Sequence, residues 1–414
     1  MPRRSGRPPV IRPPAIRPSA IVLTVALALV GLLAACGAPG SSGAPAGGEG
    51  PGGPFRVGLV HSTTGPLASY GAQYAAGFRA GLDYATQGTG QVDGRPVEVT
   101  EADDAGDPAK AVAAATDLIG QGYRVLAGST ASGVALQVAP LAEQNRVLFI
   151  SGPAATDAVT GANHYTFRSG RQTYQDVLTA GSIIGDPAGR RVLVFAQDSA
   201  FGQANAAAVT AVLGGQGAQV TPVLVPAGAT DLTPFARQAV DAAPDLLFVA
   251  WAGQNATQMW QSLEQQGAFA ATTVVTGLDI RPTYSVFGPA AGQIHFLSHF
   301  FPGAADNEAY RALEKGLTAQ GAQVDLFTND GFVAAQMVVH AFQVGGDDPD
   351  AMVTALEGWT FTGPKGESTI RAEDHAVLQP MFTARLTPSG DGFAPQLVDT
   401  LPPDAVAPPV APAR

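Results

Sequence analysis

Short apolar runs alternate along the chain with longer stretches in which apolar residues return every third or fourth position. "FRVGLV" (Phe55–Val60) precedes "YGAQYAAGFRAGLDYA" (Tyr70–Ala85). "RPVEVTEADD" precedes a segment opened by Asp107-Pro108, an N-cap followed by a first-turn proline. "VLAG" precedes "GVALQVAPLAEQN", and "VLFIS" closes the series. The short runs predict buried strands and the longer stretches predict amphipathic helices. The series restarts about 135 residues after the first strand with "RRVLVFAQDSAFG" (Arg190–Gly202). "QVTPVLV", "DLLFVAW" and "TTVVTGLD" follow, each separated from the next by a helical stretch. This pattern predicts an α/β fold of two Rossmann-like lobes, each a doubly wound parallel sheet covered on both faces. After "GQIHFLSHFFPG" come two more helical segments, and then two short strands, "ESTIRA" and "LQPMFTARL". Strand–helix–strand crossovers are right-handed. Ligands of open α/β sheets bind beyond the carboxyl ends of the strands, so two such lobes define a cleft.

The ends of the chain break this pattern. The first nineteen residues carry Arg3, Arg4, Arg7, Arg12 and Arg17 and no acid. The apolar "AIVLTVALALVGLLAA" (Ala20–Ala35) follows, shorter than the roughly 20 residues of a bilayer span. A basic start, an apolar centre and small residues at its end predict a secretory signal over residues 1–35. The run stops at Cys36, the only cysteine in 414 residues. Gly37–Pro54 holds eight glycines and four prolines. With Cys36 it predicts a flexible tether, residues 36–54, with a reach of roughly 20–25 Å. "LPPDAVAPPVAPAR" (Leu401–Arg414) is expected to be a disordered Pro/Ala-rich tail. The remaining body, residues 55–400, is long enough for two domains. Without the signal, eighteen basic residues face thirty-four acidic ones, a formal charge of −16 that disfavours nucleic acid. The absence of cysteine after Cys36 excludes a disulfide or a thiolate metal site from the body.

The body carries no phosphate-cradling glycine loop and no G-x-S-x-G nucleophile turn. His295 and His299 lack the glutamate of a metalloprotease motif and read as strand residues. Asp103, Asp104 and Asp107 do not follow calcium-loop spacing and read as turn and cap residues. No metal or cofactor is expected, and no acid–base–nucleophile set points to an enzyme. What stands at the strand ends is a set of neutral donors and single charges. Ser132 begins a helix after the third strand, and "SGPAAT" (Ser151–Thr156) follows the fourth. Amides at a helix N-terminus with nearby hydroxyls favour an anion such as a carboxylate. Asp279, just past a strand, suits a cation such as an α-ammonium. Tyr70, Phe201 and Trp251 stand in or beside similar loops and suit an apolar side chain. Together they predict a binding site for a small zwitterion. Plainer readings stand beside this one: Ser132 as a helix cap, Thr156 as a turn closer, Asp279 as a cap before Pro282, and Tyr70 and Phe201 as lobe core.

The chain resembles the branched-chain amino-acid (Leu/Ile/Val-type) solute-binding proteins of ABC importers, which have the type I periplasmic binding protein fold. The resemblance covers about Phe55 to Val398. It rests on "TGPLASYG" (Thr64–Gly71), "DDAGDPAKAVAAATDLI" (Asp103–Ile119), "PAAT" (Pro153–Thr156), "DSAFG" (Asp198–Gly202) and "GESTIRAEDHAVLQPMF" (Gly366–Phe382). It implies two lobes joined by a three-strand hinge, with crossings near Phe167–Arg168, Leu297–His299 and Phe361–Gly363. Lobe 1 is then 55–167 plus 299–361, and lobe 2 is 168–298 plus 362–400. By the resemblance, Ser132, Thr156 and the backbone at Ala154 grip a ligand carboxylate, with Tyr70 beside them. Phe201 and Asp279 come from the second lobe, and Trp251 and Gln254 are loosely placed. Phe201 replaces the tyrosine of leucine binders, and Asp279 replaces their glutamate. "LAAC" (Leu33–Cys36) resembles a lipobox, which implies lipid on Cys36. The expected protein is a monomeric receptor anchored to the outer face of the cytoplasmic membrane, with an ABC permease as partner. An aromatic carboxylate or a small amide or urea-like ligand, and a sensory receptor role, are the alternatives.

Overall fold

The computed structural model describes residues 52–412 except Gln254 and Asp391. The predicted signal, Cys36, most of the tether and Gln254 lie outside the described residues.

The first lobe begins with β1 (Phe55–His61), α1 (Ala68–Ala85), β2 (Gln91–Val92), β3 (Arg95–Asp103) and α2 (Pro108–Gly120). It continues with β4 (Val125–Gly128), α3 (Ser132–Asn145), β5 (Leu148–Ser151) and β6 (Thr166–Arg168). The spatial order is β2-β3-β1-β4-β5-β6, parallel except for β2 against β3. β4 and β5 are buried along their whole length, the signature of strands covered on both faces. The order reverses at β1, with β3 on one side and β4 on the other. The crevice at the carboxyl ends of β1 and β4 is therefore a topological switch point.

The second lobe runs through α4 (Thr173–Ile184), β7 (Arg191–Asp198), α5 (Ala200–Val209), β8 (Gln219–Pro226) and α6 (Thr233–Asp241). β9 (Leu246–Ala250), α7 (Ala256–Gln265), α8 (Ala268–Ala271), β10 (Thr273–Gly277) and β11 (Ile294–Ser298) follow. The chain then returns to the first lobe for α9 (Glu308–Ala319), α10 (Thr328–Gly345) and α11 (Pro349–Leu356). A small antiparallel sheet comes next, β12 (Thr360–Gly363), β13 (Gly366–Ile370) and β14 (Val377–Leu378). β15 (Met381–Ser389) and β16 (Gly392–Leu401) complete the second sheet, in the order β16-β15-β11-β10-β9-β7-β8. The fold is mixed α/β, with two sheets of mostly parallel strands.

α10 is buried along nearly its whole length and crosses α1 at close range. Glycines make that approach possible. A Cβ at Gly331 would sit 1.9 Å from the carbonyl oxygen of Tyr74, and one at Gly77 would sit 2.0 Å from that of Thr328.

Two expectations need correction. The third crossing was expected near Phe361–Gly363. Phe361, Ile370 and Val377 instead pack into the first-lobe core with Phe149 and Phe167, so the small sheet belongs to that lobe. The chain passes to the second sheet only between Leu378 and Met381. The tail at 401–414 was expected to be disordered, on composition. Leu401 instead ends β16, and Val406 is fully buried against Met381 and Leu401. Arg371 donates to the carbonyls of Pro408 (2.8 Å) and Pro409 (3.2 Å), and the Ala411 N–H donates to Asp374 at 2.8 Å. Proline lacks an N–H but keeps its carbonyl, and here the carbonyls serve as acceptors for a guanidinium.

Candidate functional site

The turn after β4 carries Ser129 at φ +68°, then Thr130 and Ala131, and α3 starts at Ser132. The first N–H groups of a helix have no partner within it and form the positive end of its dipole. Thr130 Oγ1 accepts from the Ser62 N–H at 3.2 Å. Ser132 Oγ accepts from the Thr156 N–H at 3.3 Å, tying the start of α3 to the loop after β5. Ser132 does not cap α3; Ala131 holds that position without a side-chain bond. Next to this rim, Asp107 caps α2, Asp104 accepts from Ser62 Oγ, and Asp103 accepts from the N–H groups of Thr63 and Thr64.

In the second lobe, Phe201 stands in the first turn of α5, whose cap Ser199 accepts from the Gly202 N–H. Trp251 follows β9 and stacks on Phe195 with centroids 5.9 Å apart. Asp279 follows β10. Its Oδ1 accepts from Tyr70 Oη at 2.7 Å and from the Ile280 N–H at 2.8 Å. Tyr70 comes from α1, so this bond joins the lobes. Around it, Tyr70 and Phe327 of the first lobe pack on Ile280 of the second. Among the described residues no cation pairs with Asp279. Burial pushes its carboxyl above the usual range, against the opposing effect of the Tyr70 bond.

Between the lobes lies a cavity of about 460 Å³. Tyr70, Ser132, Phe201, Trp251 and Asp279 all line it, as do Thr130, Phe248 and Phe327. Ala154 and Thr156 do not. Ala154 is 1% exposed, and its carbonyl accepts from Arg168 Nη2 at 2.7 Å. Thr156 Oγ1 accepts from the Ala158 N–H at 3.4 Å and so closes a turn. Pro153 and Ala155 present the loop to the cavity in their place.

The same wall holds a pair absent from the sequence expectations. Arg171 and Asp176 line the cavity, with Arg171 Nε donating to Asp176 Oδ2 at 3.2 Å. Arg171 stands on the short crossing between β6 and α4, and Asp176 stands in the first turn of α4. The only signal there is two opposite charges five residues apart at a lobe boundary. Near Arg171 is a buried cluster of charges from separate segments. His299 Nε2 lies 3.4 Å from Asp330 Oδ2, and Lys365 Nζ donates to the His299 carbonyl at 3.0 Å. Burial alone would raise the Asp330 carboxyl, but His299, Lys365 and Arg171 outweigh it and hold it below its usual value. Burial lowers His299 and pushes Lys365 down to about 7. His299 is thus a buried partner of Asp330 rather than a strand residue.

Two α/β lobes with a part-apolar cavity at their strand ends define a bilobal ligand-binding protein. The chain belongs to the periplasmic binding protein family, whose model matches residues 54–391. Members of that family are solute-binding proteins that take small molecules outside the cytoplasm and work with ABC transporter permeases. A Leu/Ile/Val-binding protein of Rhizobium johnstonii is 25% identical over 306 residues, 73% of this chain and 83% of that protein. The solved structure of an ABC-type branched-chain amino acid transporter from Rhodopseudomonas palustris is 30% identical with a TM-score of 0.72, covering 86% of this chain and 99% of that one. A solute-binding protein of an ABC transporter from R. palustris, solved with 4-hydroxybenzoate, is 21% identical with a TM-score of 0.77, over 84% of this chain and 97% of that one. This last likeness is one of fold. Among the described residues no helix is long and apolar enough to cross a membrane.

Proposed function

We propose that this protein is the receptor of an ABC importer for a small amino acid, which it captures between its lobes by hinge closure. The observation that carries this reading is the polarity of the cavity. The N-terminus of α3 with Thr130 and Ser132 forms a site for an anion, and Asp279 is a carboxylate with no cation partner among the described residues. A zwitterion satisfies both. Phe201, Trp251 and Phe248 supply apolar wall for the rest of the ligand. The volume of about 460 Å³ falls within the usual range of small-molecule sites, roughly 300–1,000 Å³. The likeness to Leu/Ile/Val-binding proteins supports an amino acid.

A second reading, an aromatic carboxylate, draws on a specific observation. Oδ1 of Asp279 already accepts two bonds, and aromatic rings wall the cavity. A thermal-shift screen separates the two. A ligand at 100 times its dissociation constant stabilises the folded state by about 2.7 kcal/mol. Leucine, isoleucine or valine is expected to raise the melting temperature. A rise with 4-hydroxybenzoate or urea and none with any amino acid overturns the amino-acid reading.

The "LAAC" motif supports membrane attachment through lipid on Cys36. More than one acyl chain is needed for stable anchoring, and a lipidated N-terminal cysteine meets that need. Cys36→Ser is expected to move the protein from the membrane fraction to the soluble fraction. Retention in the membrane would show that another element holds it.

A further inference from the structure

We infer that Arg171 is a specificity-determining residue, the cationic member of the carboxylate grip, and that Asp176 is its positioning residue. The inference deepens the ligand reading above and rests on its anion site, whichever carboxylate is the natural ligand.

Three observations carry it. First, Arg171 lines the cavity, and its side chain is 12% exposed. It stands on the segment that joins β6 to α4, where the chain leaves the first lobe for the second. Second, it is held on two sides. Nε donates to Asp176 Oδ2 at 3.2 Å, and Nη1 donates to the Pro153 carbonyl at 2.9 Å. Among the described residues Nη2 has no acceptor, and it is not fully enclosed, so the guanidinium of this cavity-lining residue keeps N–H groups to offer. Third, Arg171 and Ser132 converge on one loop. Arg171 holds the carbonyl of Pro153, and Ser132 accepts from the N–H of Thr156. An anion beside that loop meets a hydroxyl, helix-terminal amides and a guanidinium edge.

Among the described residues, Arg171, Asp176 and Asp279 are the charged ones that line the cavity. Asp176 and Arg171 offset one another, which leaves Asp279 as the uncompensated charge. Without Arg171, an acid entering the cavity would face two carboxylates with no cation. The guanidinium therefore decides whether an acid or its neutral amide is preferred. Its planar fork, fixed by two acceptors, presents the remaining N–H groups in a set direction, which a lysine ammonium does not reproduce. Asp176 is 4% exposed and its Oδ2 accepts from Arg171 Nε at 3.2 Å, the bond through which it positions the guanidinium.

The test measures acid-to-amide preference by calorimetry on the mature chain. The probes are leucine against leucinamide, and 4-hydroxybenzoate against 4-hydroxybenzamide. In the pair whose acid binds, the wild type is expected to prefer the acid at least 100-fold. R171Q is expected to reduce that preference at least tenfold, R171K to restore it only in part, and D176N to reduce it to a smaller degree with Arg171 intact. If R171Q leaves Asp176 unpaired and fails to fold, the neutral pair R171Q/D176N replaces it, with the same expected loss. An unchanged acid-to-amide ratio in a folded Arg171 variant overturns the assignment of Arg171 and leaves the carboxylate reading intact. Failure of both acids to bind the wild type overturns the carboxylate reading, and the role of Arg171 with it.

Discussion

Asp279→Asn is expected to weaken binding of an α-amino acid by roughly 10- to 150-fold. This corresponds to the loss of one hydrogen bond to a charged group, about 1.5–3 kcal/mol. The substitution is close to isosteric. An asparagine carbonyl can still accept from Tyr70 Oη and from the Ile280 N–H, the bonds that Asp279 makes at 2.7 and 2.8 Å. What it loses is the charge that faces an ammonium. Affinity for the deaminated analogue, 4-methylpentanoate for leucine, should change little. Equal losses for both ligands would favour the aromatic-acid reading. The pH dependence gives an independent check. Burial raises the Asp279 carboxyl above the usual carboxylate range. As pH falls through that raised value the empty site takes up a proton, and an ammonium must then displace it. Amino-acid affinity should therefore be full at neutral pH and decline on acidification, starting above the range of an exposed carboxylate. In Asp279→Asn that decline should vanish.

Asp330→Ala is expected to destabilise the fold by about 3–5 kcal/mol, the usual effect of removing one member of a buried charge pair. Asp330 is 0% exposed, and its neighbours His299 and Lys365 are 2% and 4% exposed. Removing the carboxylate takes away the charge that holds the Lys365 ammonium against burial, so Lys365 must give up its proton or stay charged in a low-dielectric interior with the His299 carbonyl as its bonded acceptor. Urea denaturation should show the loss as a lower midpoint at an unchanged slope. Lys365→Met in the same chain should recover a large part of it, since the two substitutions share a partner and do not add. A loss below about 1 kcal/mol would show that water reaches the cluster.

The parts of the fold that were legible in the sequence are those built from local pattern. The buried strands around "VLAG" and "VLFIS" and the cap at Asp107-Pro108 follow from periodicity and from one turn of hydrogen bonding. β6, only Thr166–Arg168, is too short for its pattern to stand out, although Phe167 is 1% exposed. The tail was misread because proline and alanine content says nothing about acceptors. Its order depends on Arg371 and Asp374, some forty residues earlier in sequence.

The site divides in the same way. Ser132, Phe201, Trp251 and Asp279 stand at or just past strand ends, where the switch-point rule directs attention, and Tyr70 lies in the first turn of α1, beyond β1. Ala154 and Thr156 are adjacent in sequence to residues that face the cavity, yet a turn rotates them away. Composition cannot resolve a one-residue rotation of that kind. Arg171 escaped because the short crossing before α4 has no period, and Asp176 because a place in the first turn of a helix does not tell what the side chain faces. Their significance arises from where the second lobe begins, which only the assembled chain defines.

The ordered C-terminus has a mechanical consequence. Val406 is seated on Met381, Leu401 and Leu178 at the second lobe, whereas Pro408, Pro409 and Ala411 are fastened to Arg371 and Asp374 beside the small sheet of the first. The halves of the molecule are thus bridged a fourth time, by a leash only a few residues long. Any swing between them is bounded by the slack in that leash as well as by the three crossings.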